Sequence, residues 1–429
     1  MKDKLFLLAI TFIVLLGNTK ISAQVLDRNF HQIYQLIDQK NFFEAQSFYQ
    51  TNKSTLSLSH QKFIEICLDN AFGRLNDSNN KIERLMQEKV YKLPDSLQMT
   101  VLLIKEDNSV KLYDYKEAKK TTESLLSKYA NSLTEDKLNE YRNNLKIWTA
   151  IEHQPKQKVV IKGESKLKLT KDKAGLNNLP VSAGKDTIDF IFDTGANFST
   201  ISKSAAKHLK MNIIPGAVEV SSITGNEVYA QLAVCPELAI GDITIHHAVF
   251  LVLEDDELSF PQIEYQIHGI LGFPVIEALK EIRLTRDGYL IVPERETAFK
   301  ELSNMAMDGL TPLILIDGRH FTFDTGASNT VLYSPYFIEH RKIIESKHQE
   351  TSISLGGAGG VKQFSGFHID VNFNVDGKSI LLKDLAVLKN NVEAEKKTIY
   401  GNIGQDFIKQ FDEIIINFHH MFIKFGSSI

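Results

Sequence analysis

Two cysteines, Cys67 in a helical pattern and Cys235 in a strand pattern, are all that 429 residues contain. No disulfide framework can support the fold, and both thiols are expected to be buried apolar fillers. Dense Lys/Arg runs interleaved with aromatic residues are also missing, and the net charge is −4. Nucleic acid and anionic membrane surfaces are therefore not expected partners. Neither His-Glu-x-x-His nor Gly-x-Ser-x-Gly occurs, and the His246-His247 and His419-His420 pairs lack further ligands at metal-site spacing. The expectation is a protein without metal or cofactor. Long apolar runs are absent after the first, Leu5 to Leu16, which is itself too short to span a bilayer comfortably.

That first run follows Lys2 and Lys4 and ends in a polar exit, Ile21-Ser22-Ala23, the layout of a secretory signal peptide over residues 1–23. No cysteine follows the expected cleavage point to carry a lipid. The mature chain is thus expected to be exported to a bacterial periplasm or cell surface, with no stable membrane insertion. With 43% hydrophobic and 24% charged residues the composition is that of a globular protein. The length calls for two or three compact units.

Over residues 25–151 apolar residues recur three or four apart, as in Phe30, Ile33, Tyr34 and Ile37, and again in Leu125, Leu126 and Tyr129, which predicts helices. Asn41-Phe42-Phe43-Glu44-Ala45 is echoed by Asp114-Tyr115-Lys116-Glu117-Ala118, about two units of a tetratricopeptide-length repeat, with Lys81-Ile82 near the middle position. Small residues such as Ala45 and Ala118 let helices pack closely. Stacked helix pairs of that kind present a surface to a protein partner, while an irregular bundle that only spaces or shields remains the alternative. Near Gln154-Pro155-Lys156 the texture changes to short β-rich runs and hairpin signals such as Gly241-Asp242 and Asp376-Gly377. The expected fold class is therefore α+β and multidomain, with an all-β region to the C-terminus.

The β region is duplicated. Ile191-Phe192-Asp193-Thr194-Gly195-Ala196 returns as Thr322-Phe323-Asp324-Thr325-Gly326-Ala327, Asp193 and Asp324 lying 131 residues apart. His268-Gly269-Ile270-Leu271-Gly272 returns as Tyr400-Gly401-Asn402-Ile403-Gly404, at nearly the same interval. Glycine-rich turns correspond as well: Thr224-Gly225-Asn226 in the first half, and a run beginning Gly356-Gly357 in the second. In each copy an apolar strand delivers a carboxylate into a turn where glycine permits close backbone approach and a hydroxyl can fix the loop. Two carboxylates brought together a few ångströms apart cannot both ionise, so they share one proton. One can then act as base toward water while the other donates to a carbonyl.

These motifs resemble the pepsin-like and retropepsin-like aspartic peptidases, whose signature is two hydrophobic residues, Asp-Thr-Gly-(Ala/Ser), and later two hydrophobic residues and Gly. The resemblance covers roughly Val159 to Ile429, and the Ala after Gly is more like retropepsins than pepsin. It implies a bilobal acid-protease fold with lobes over 159–295 and 296–429 and Asp193 and Asp324 as catalytic pair. It further implies that Thr194, Gly195, Thr325 and Gly326 support that pair, and that Thr224, Gly225, Gly356 and Gly357 belong to flaps over a polypeptide substrate. The β region is then expected to fold alone. Two departures stand out: Asn402 occupies a usually apolar place, and no Tyr directly precedes the Gly225 turn. Two rivals remain: a peptide-binding protein of the same fold without turnover, and an actin-like phosphotransferase with an Asp-x-Gly turn in each lobe. Export and the lack of alternating strands and helices speak against the latter.

Overall fold

The computed structural model describes residues 28–426 except 89, 91, 222–226, 299–302, 358–359 and 391–397. The expected order holds: helices up to Ile151 are followed by a β-rich region that continues to Phe425. Among the described residues no helix is long and apolar enough to cross a membrane. Cys67 and Cys235 are both free and buried. The chain forms two compact units, dividing between Ile104 and Lys105, inside a helix.

The helices are α1 (28–38), α2 (Phe42–Asn52), α3 (Leu58–Ala71), α4 (Leu75–Gln87), α5 (Asp95–Lys111), α6 (Tyr115–Tyr129) and α7 (Glu135–Ile151). Three of their connections use one turn. Lys40, Gly73 and Tyr113 take left-handed φ values of 62°, 70° and 55°. The amides that follow, of Asn41, Arg74 and Asp114, each donate at 2.8 Å to the carbonyl five residues back, of Leu36, Asp69 and Ser109. This is the helix C-cap in which a left-handed residue lets orphan carbonyls find donors. Four residues after each such amide stand Ala45, Ser78 and Ala118, all fully buried. The echo thus has a middle copy at Gly73–Ser78, a few residues before the Lys81-Ile82 that the sequence suggests. The sequence conceals it because serine, with its hydroxyl donating to the Ile66 carbonyl at 3.1 Å, does the work of alanine there.

In the second unit, α6 and α7 pack on the first lobe. Tyr115, Ala118, Ile147, Trp148 and Ile151 share a core with Val218, Val228, Leu232, Val249 and Leu251. The Tyr113 hydroxyl donates to the Pro274 carbonyl at 2.8 Å. The lobe's sheet therefore has an apolar face that helices close, and part of its core lies outside the β region that the sequence expects to fold alone.

Each lobe is built on a sheet with the same central weave. In the first, strand Gly269–Leu271 lies parallel to Asp186–Phe192 and antiparallel to Ser199–Ser202. In the second, Ile399–Ile403 lies parallel to Arg319–Phe323 and antiparallel to Val331–Leu332. Next to the aspartates these strands are buried on both faces, over Phe190–Phe192 in the first lobe and His320–Phe323 in the second. The outer strand Gly360–Val375 instead alternates, burying Phe367, Ile369, Val371, Phe373 and Val375 between exposed polar residues. A further sheet joins the lobes: Glu281–Thr285 of the first pairs with Glu413–Asn417 of the second, residue for residue. One continuous core, from Phe190 and Phe192 to Phe321, Phe323 and Phe407, runs through both.

Candidate active site

Strand Asp186–Phe192 ends where the Asp193 amide donates to the Leu271 carbonyl at 3.1 Å, and Arg319–Phe323 ends where the Asp324 amide donates to Ile403 at 3.0 Å. Each aspartate then caps its own turn: the amides of Gly195 and Gly326 donate at 2.8 Å to Oδ1 of Asp193 and Asp324. Beneath each turn a second hydroxyl holds the later glycine. Ser199 Oγ accepts from the Gly272 amide and Thr330 Oγ1 from the Gly404 amide, both at 3.0 Å. Ser199 and Thr330 were not singled out in the sequence, although a hydroxyl six residues after each aspartate was a legible signal.

The two turns meet. Thr194 Oγ1 donates to the Phe323 carbonyl at 2.9 Å and accepts from the Thr325 amide at 3.0 Å. Thr325 Oγ1 donates to the Phe192 carbonyl at 2.8 Å and accepts from the Thr194 amide at 3.0 Å. Both threonines are buried, so these reciprocal bonds satisfy four backbone groups that water cannot reach. The glycines bring the carboxyls together: a Cβ on Gly195 would stand 2.6 Å from Cγ of Asp324, and one on Gly326 would collide with the carboxyl of Asp193. Each aspartate thus lies against the other's glycine, and any side chain there would drive the pair apart.

Burial, then the charge of Asp324 and a hydrogen bond with it, hold the Asp193 carboxyl well above the usual carboxylate range, with the Gly195 and Ala196 amides pulling the other way. The symmetry is broken on the Asp324 side. Where the first lobe pairs Ile191 with Ile270, the second pairs Thr322 with Asn402. Asn402 Nδ2 donates to Asp324 Oδ2 at 2.9 Å, and its Oδ1 accepts from Thr322 Oγ1 at 2.5 Å. An N–H aimed at Oδ2 stabilises negative charge on that oxygen. With burial holding the Asp193 carboxyl up, this arrangement suits a pair that shares one proton, held more readily on Asp193 than beside Asn402. Asn402, met in the sequence as a departure, touches the dyad directly. Gln405, also unforeseen, is buried and ties the Thr325 carbonyl (2.8 Å) to Lys171 of the first lobe.

The flap candidates are less complete. Thr224 and Gly225 lie outside the described residues; the strands leading to them, Asn212–Ser221 and Glu227–Ile240, form an antiparallel hairpin. Gly356 and Gly357 end strand Thr351–Gly357, paired with Gly360–Val375. A Cβ on Gly356 would meet Val361 and Gly360 of its own hairpin rather than the aspartates.

The family model described as "Aspartyl protease" matches residues 179–275, taking in the Asp193 turn and the Gly269–Gly272 strand and turn. No curated protein matches the chain. The first lobe is thus similar in sequence to the aspartyl proteases, and the second repeats its strand weave, its Asp-Thr-Gly turn and its interlobe threonine.

Proposed function

We propose that the protein is an endopeptidase that cleaves polypeptides with the Asp193/Asp324 pair. The observation that carries the reading is the interlocked pair of Asp-Thr-Gly turns, in which each carboxyl rests on the other's glycine. A water held between the carboxyls gives a proton to Asp324 as its oxygen attacks the scissile carbonyl carbon, while Asp193 gives its proton to the carbonyl oxygen. The tetrahedral diol collapses when the amine leaves, taking the proton from Asp324 while a hydroxyl proton returns to Asp193. Both carboxyls end as they began. The hairpins at 212–240 and 351–375 close over the substrate in this scheme.

The repeated helix turn supports a tetratricopeptide-like role for the N-terminal helices in holding a protein partner or large substrate. The residue 1–23 pattern supports export to a periplasm or cell surface. A peptide library digested by the mature protein across pH tests the activity. Asp193→Asn and Asp324→Asn should each lower turnover by at least about 10²–10⁴-fold, the contribution of one general acid or base. A folded wild type that binds library peptides but cleaves none would instead make the protein a peptide-binding relative of these enzymes.

A further inference from the structure

The two histidines that lack metal ligands in the sequence acquire one in the fold. His419 and His420 sit in the turn between strands Glu413–Asn417 and Phe422–Phe425, and Glu296 lies on the connection that leads from the first lobe to the second. Both Glu296 carboxylate oxygens are 3.1 Å from His419 Nδ1, and Oε2 is 3.5 Å from His420 Nε2. One donor atom from each of the three residues lies within 4.8 Å of the other two.

We propose that Glu296, His419 and His420 bind a divalent transition-metal ion of the zinc class. With bonds of about 2.0–2.2 Å, two ligands of a tetrahedral ion stand about 3.4 Å apart, close to the carboxylate–imidazole separations here. Two imidazoles and a carboxylate favour such an ion over calcium or magnesium, which take oxygen donors. The half-exposed rings leave the remaining position open to water. The carboxylate is also held from behind, as ligating carboxylates are. Asn417 Nδ2 donates at 3.0 Å both to Glu296 Oε2 and to the buried Glu281, whose carboxylate accepts in turn from the Thr297 amide at 2.7 Å. Asn417 Oδ1 accepts from the His420 amide at 2.6 Å, so one fully buried side chain orients the carboxylate and one of the histidines. The ion would fasten the interlobe connection to the last hairpin of the sheet that both lobes build. It takes no part in the proposed hydrolysis.

The test is titration of the untagged full-length mature protein with ZnCl₂ by calorimetry, and with CoCl₂ by visible spectroscopy. Wild type should take up one equivalent and gain a cobalt band. His419→Ala and His420→Ala should each weaken uptake by at least about 10-fold, the loss that even an outer-shell partner causes. Glu296→Gln, which keeps an acceptor for Asn417, should weaken it too. Zinc should raise the thermal midpoint of the wild type and leave that of the double histidine variant unchanged. Equal uptake by wild type and double variant, as would follow from binding at His246-His247, or no uptake by either, overturns the proposal. Neither result bears on peptidase activity.

Discussion

Replacing Asn402 by leucine removes the donor to Asp324 at little change in volume. Thr322, whose hydroxyl loses its Asn402 acceptor, keeps the Gly401 carbonyl at 3.4 Å as a second one. A hydrogen bond to a charged group contributes about 1.5–3 kcal/mol. At 1.36 kcal/mol per pH unit, that moves the first proton lost by the pair by about 1–2 units, nearer 1 because the site is partly open to solvent. The donor favours the singly protonated pair over the doubly protonated one, so its loss makes the first proton harder to remove. The acid limb of kcat/KM must therefore move toward higher pH, while the rate at the optimum changes less. Thr322→Val, which only frees the Asn402 amide to turn, should move the limb the same way by less. The assay is hydrolysis of a fluorogenic peptide from acidic to neutral pH, with melting curves to establish folding. An acid limb superimposable on that of the wild type, in a variant that melts like it, refutes the role given to the Asn402 donor.

Thr194→Val removes the side-chain partner of the Phe323 carbonyl and of the Thr325 amide, so chemical denaturation should report a loss of about 2–6 kcal/mol, at about 1–3 per group; Thr325→Val should match it. Burial pushes the Glu106 carboxyl up to about 7, although it accepts from Trp148 Nε1 at 2.7 Å and from Asn144. Because the folded state holds this proton and the unfolded chain does not, the stability it contributes is fully present below about pH 4 and is lost as pH rises through about 7. Glu106→Gln should thus melt above the wild type at pH 8 and lose that advantage near pH 4; parallel pH–stability curves would contradict this. A chain beginning at Val159 lacks the Trp148 side that closes the first lobe, where one Trp→Ala change alone should cost about 3–5 kcal/mol. It should be recovered unfolded or aggregated, and cooperative melting would show the lobe to be independent.

The pattern of residues alone determined the order of helices then strands, the duplication, and the two aspartates and their threonines, because these depend on local periodicity and on motifs that repeat at a constant interval. Asn41–Ala45 and Asp114–Ala118 were legible as an echo for the same reason. What depends on contact between distant segments was not. Asn402 reaches Asp324 and Thr330 holds Gly404 because Ile399–Ile403 lies parallel beside Arg319–Phe323, Ser199 holds Gly272 through the matching pair in the first lobe, and Gly195 faces Asp324 only because the two turns meet. A crossover pairing of that kind leaves no short-range signal in the chain. The same is true of Glu296 beside His419, more than a hundred residues on, and of Trp148 on the first lobe. A helix shows in sequence that it has an apolar face; only the packed molecule decides which sheet that face covers.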